Sequence, residues 1–132
     1  MQAIEKTLDQ PLDEAERAVR AALAEEGFGI LTEIDVAATL EAKLGVQRPP
    51  LKILGACNPE LAHRALSADP GLALLLPCNV VLEEAGEGRT RVAIVDPRTL
   101  LAESGSDARG ELEALGAQAA SSIERAVGRL SG

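Results

Sequence analysis

Apolar residues recur at helical spacing along the end of the chain. Leu112, Leu115, Ala119, Ile123, Ala126, Val127 and Leu130 form one long stripe. Glu111 and Glu113 stand near its start, and Arg125 and Arg129 near its end, as a helix dipole favours. The pattern predicts a long C-terminal helix. A second stripe, Leu12, Ala15, Val19, Ala22 and Leu23, predicts another helix; Pro11 suits its first turn and Gly27 its stop. Glu16 and Arg20 form an i,i+4 pair on its wet side. In residues 28–34 the period changes to two. Phe28, Ile30, Thr32 and Ile34 are expected on one face, with Leu31, Glu33 and Asp35 on the other.

Residues 2–8 read as a first strand. Asp35 is placed to cap a short helix carrying Val36, Leu40 and Leu44, which ends near Gly45. Arg48-Pro49-Pro50 is a stiff connector to a third strand over residues 51–56. Asn58 and Pro59 then start a helix whose buried side is Leu61, Ala62, Ala65 and Leu66. Residues 72–76 are ambiguous by period, and Pro77 breaks the run. Residues 78–84 and 90–95 are strands joined by a hairpin at residues 85–88. Asp96-Pro97 starts a short helical turn, and residues 105–107 break the chain again. Gly116, Ala120 and Gly128 would let the last helix lie close to a sheet. The expectation is an α+β fold in one domain, residues 1–132. An antiparallel sheet follows the order strand–helix–four strands–helix, with both long helices on one face. A ferredoxin-like topology competes.

Composition narrows the function. The 132 residues carry a net charge of -8, and Phe28 is the only aromatic residue. A nucleic-acid binder needs positive charge facing phosphates, and a single-strand binder needs aromatic platforms, so no nucleic acid is expected as partner. An anionic membrane surface is disfavoured too, and residues 72–76 are too few to span a bilayer. The first residues lack a basic, apolar signal pattern, which makes the cytoplasm the expected location. Two cysteines in a reducing compartment are thiols. Ten Arg against three Lys is compatible with a thermophilic source, and genome base composition produces the same bias. With 23 Ala and 20 Leu, the core must be aliphatic.

Two segments resemble a known family: Lys52-Ile53-Leu54-Gly55-Ala56-Cys57-Asn58-Pro59 and Leu75-Leu76-Pro77-Cys78-Asn79-Val80-Val81. Together with Asp96-Pro97 they are similar to the family named domain of unknown function 302. The resemblance implies a TATA-binding-protein-like fold and supplies no reaction.

Candidate chemistry lies at one sheet edge. If the third strand turns back antiparallel into the fourth, Cys57 at the end of one meets Cys78 at the start of the other. The fifth strand returns Asp96 to the same edge. Asn58 and Asn79 each follow a cysteine, and His63 lies on the helix that starts there. The expected ligand-binding set is therefore Cys57, Asn58, His63, Cys78, Asn79 and Asp96. Each also has a structural explanation. Cys78 alternates with Val80 and Leu82 as a small hydrophobe would. Cys57 precedes a helix N-terminus, Asn58 and Asp96 are natural caps, and His63 lies off the apolar side of its helix. Cys57 and His63, six positions apart, fit no standard zinc spacing, so no metal and no cofactor are assigned. No catalytic residue is assigned either. The leading expectation is a small-ligand-binding domain with a cleft near Cys57 and Cys78. The alternatives are a self-associating module, as a homodimer through its sheet face, and a thiol-dependent redox or metal-binding protein.

Overall fold

The computed structural model describes residues 2–131. The chain forms β1 (Ala3–Leu8), α1 (Leu12–Glu25), β2 (Gly29–Asp35), α2 (Val36–Leu44), β3 (Leu51–Cys57) and α3 (Pro59–Ala68). A 3-10 turn (Pro70–Leu75), β4 (Cys78–Glu84), β5 (Thr90–Val95), α4 (Pro97–Ala102) and α5 (Arg109–Gly128) complete it. The strands make one sheet in the order β1-β5-β4-β3-β2, and every neighbouring pair is antiparallel. Strands β2 to β5 are a meander, which decides against the ferredoxin-like alternative. The fold is α+β, as expected.

Strand period divides the sheet into two faces. Leu8, Leu54, Ala56, Val80, Leu82, Val92 and Ile94 point to one face and are at most 2% exposed. Both long helices cover that face. Helix α1 brings Ala15, Val19, Ala22 and Leu23; α5 brings Leu112, Leu115, Ile123, Ala126 and Val127. The core is aliphatic apart from Phe28.

Two expectations change. Phe28, Ile30 and Ile34 do not share a face. Register slips by one residue between Ile30 and Thr32, and this bulge sends Ile34 to the uncovered face, where it is 49% exposed. The slip turns Glu33 toward the helices instead. There it pairs with Lys52 at 2.8 Å and Arg20 at 3.1 Å, and Lys52 also reaches Glu16 at 3.0 Å. Hydrogen bonds to Glu33 and Glu16 raise the pKa of Lys52. Helix α2 forms, capped by Asp35 accepting from Ala38 N, but buries none of its residues. Gly116 lets α5 approach α4 rather than the sheet: a Cβ there would lie 3.4 Å from the Arg98 Cα and the Pro97 carbonyl.

The ambiguous run is the 3-10 turn and its exit. Leu72 is buried, and Asp69 accepts from Gly71 N to start the turn. The Leu76–Pro77 peptide is cis. Pro77 then lies over Gly55, where an added Cβ would sit 2.6 Å from the proline Cγ. This close approach explains a glycine in the middle of β3.

Candidate functional site

Antiparallel pairing of β3 with β4 sets Ala56 opposite Cys78, one residue from Cys57. Both cysteines line one cavity of about 60 Å³ between the sheet end and the helices. Phe28, Leu61, Ala65, Leu76, Leu100 and Leu115 form much of the wall. Among the described lining residues none is charged. Both thiols are free and half-buried. Burial, and then the neighbouring Cys57, push the Cys78 thiol up to about 11. Removing its proton would leave a charge in apolar surroundings, so Cys78 is a neutral thiol at physiological pH.

Asn58 lines the same cavity, but its polar atoms are engaged. Its side-chain oxygen accepts from Leu61 N at 3.2 Å, which caps α3, and its amide nitrogen donates to the Glu26 carbonyl at 3.5 Å. Asn58 thus ties the start of α3 to the end of α1, beside Gly27 with its φ of +85°. That backbone conformation suits glycine.

The remaining expected members lie elsewhere. His63 is exposed and lines a separate groove of about 340 Å³ between α3 and α5, with Arg64, Ser67 and Glu111. Asp96 is 5% exposed, and the hydrogen bonds of its carboxylate stay within its own turn. It accepts from Arg98 N at 2.9 Å to cap α4 and from the Arg98 guanidinium at 3.1 and 2.9 Å. These bonds hold its pKa below the ordinary value, although burial works against them. Asn79 is exposed on the uncovered face, in a groove of about 530 Å³ lined by residues 74–77, Val81, Ala93 and Val95. So the structure brings together Cys57, Asn58 and Cys78, and leaves His63, Asn79 and Asp96 apart. Among the described residues no three His, Cys, Asp or Glu side chains cluster as metal ligands would.

Sequence reasoning missed the apolar wall. Leu76, Leu100 and Leu115 belong to three different segments, and nothing local marks them as neighbours. Leu76 and Leu100 also line the groove on the uncovered face, so the two spaces share a wall.

A family model described as "Domain of unknown function DUF302" matches residues 4–130. A crystal structure of the uncharacterized conserved protein DUF302 from Bacillus stearothermophilus is similar, with a TM-score of 0.87. The two sequences are 24% identical, and 98% of each chain is covered, which shows a common fold. No curated protein matches the chain. Among the described residues no helix is long and apolar enough to cross a membrane.

Proposed function

Since the chain belongs to the DUF302 family, whose name specifies no activity, we propose a function from the cavity itself: this is a small-ligand-binding domain. Two cysteines from adjacent strands line one apolar space, and that observation carries the reading. About 60 Å³ holds roughly two water-sized groups. The ligand therefore inserts a short apolar or soft group, such as a methyl or thioether end, and keeps its polar part outside. The neutral Cys78 thiol suits this role, since sulfur is polarisable and only weakly hydrogen-bonding. Thiol catalysis is less well supported: a nucleophilic cysteine needs a lowered pKa, and that of Cys78 is raised.

Native mass spectrometry on protein purified from its own cells tests the reading. Wild type is expected to carry a small-molecule mass, and the cavity-filling Ala119→Leu to lose it. Retention by the filled variant, or no bound mass on wild type, would overturn it. The thiol makes an independent prediction. The pKa of Cys78 in the folded state, about 11, exceeds its ordinary 9.0, so the native state holds the proton longer. Stability from this group is fully present below pH 9 and is lost as pH rises through 11. Chemical denaturation across that range should show the loss in wild type and not in Cys78→Ala.

A further inference from the structure

The uncovered face of the sheet has two unlike halves. Across one end runs a row of ion pairs. Glu5 on β1 meets Arg91 on β5 at 2.7 Å, Arg91 meets Glu83 on β4 at 3.1 Å, and Glu83 meets Arg48, just before β3, at 3.2 Å. Across the other end lie Val81, Ala93 and Val95, in the groove walled by residues 74–77. Leu74 stands at its rim, 91% exposed. A leucine so exposed beside an apolar groove marks a binding surface better than scattered surface hydrophobes do.

We propose that this face binds a second copy of the chain, about a two-fold axis parallel to the strands and passing between β4 and β5. The charge order selects the partner and the axis. Read across the sheet, the row runs minus, plus, minus, plus. A two-fold axis along the strands reverses that order, so Glu5 faces the other copy's Arg48, and Arg91 faces its Glu83. The row is its own complement, which an isologous contact requires. The same axis lays the apolar half on the apolar half. An in-plane axis across the strands would instead set Leu74 against the charges. Apolar contact supplies most of the affinity, and the charged row fixes the orientation.

Sedimentation of the full chain over a range of concentrations tests the proposal. Wild type is expected to be a dimer. Leu74→Glu, at a position too exposed to carry the fold, is expected to give monomers. Arg91→Glu and Glu83→Arg are each expected to weaken self-association roughly tenfold or more, since each sets like charges together twice. Mixing these two variants is expected to restore dimers, because each row then complements the other. A monomeric wild type, a dimeric Leu74→Glu, or a mixture that associates no better than its parts would each overturn the proposal. So would a monomer that fills the groove with a small molecule or a different protein.

Discussion

The two faces of the sheet use the same five strands in opposite ways. Toward the helices, Leu54, Val80, Leu82, Val92 and Ile94 are sealed by α1 and α5. Away from them, the intervening positions hold Ile53, Glu83, Arg91 and Val81, all half-buried, with Glu5 and Asn79 exposed. Adjacent residues of one strand therefore live in different media. Burial of the first face supplies the folding free energy, since each large aliphatic side chain is worth roughly 1.5–3 kcal/mol when removed from water. The second face is free to vary in charge and shape. In this protein that freedom is used for a charged row at one end and a groove at the other.

Substitutions in the middle of the sheet would break the contrast most strongly. Leu82→Ala, on the covered face, should cost about 2–5 kcal/mol in denaturant unfolding, because α1 and α5 cannot collapse fully into the gap. A loss below about 1 kcal/mol would mean that the covered face is not the core. Gly55→Ala tests a place on the other face where chain lies on the sheet. The added methyl meets Thr32 and Pro77, and overpacking of this kind costs about 1–3 kcal/mol. Little change there would show that residues 74–77 do not rest on β3. Arg91→Ala should have the smallest effect, at most about 1 kcal/mol on the monomer at low salt, since its partners are exposed or half-buried. A larger loss under monomeric conditions would make the uncovered face part of the folding core.

Much of this arrangement is legible in the sequence, and the reason is local. Helices α1 and α5 announce themselves by stripes, α5 also by its terminal charges, and α3 and α4 by Asn58-Pro59 and Asp96-Pro97. The meeting of Cys57 and Cys78 follows from the meander alone. What is not legible depends on distant contacts. The bulge at Leu31 obeys no visible rule until Lys52 and Arg20 are seen waiting for Glu33. His63 shares an end of the sheet with the cysteines, but its exposed side chain lines a different groove. Asp96 looks available for chemistry, and its own turn consumes it through Arg98. Sequence places these residues near one sheet end; it does not give the direction in which each side chain leaves the backbone.

The bulge in β2 also governs how sheets grow sideways. A free outer strand with regular spacing is a template on which another strand can add. In β2 the spacing is interrupted at Leu31, and Glu33 and Asp35 follow within four residues. An incoming strand in register before the slip would be out of register after it. A chain with an exposed leucine on its edge strand thus carries its own obstacle to edge-to-edge polymerisation, in the same residue that makes the edge attractive.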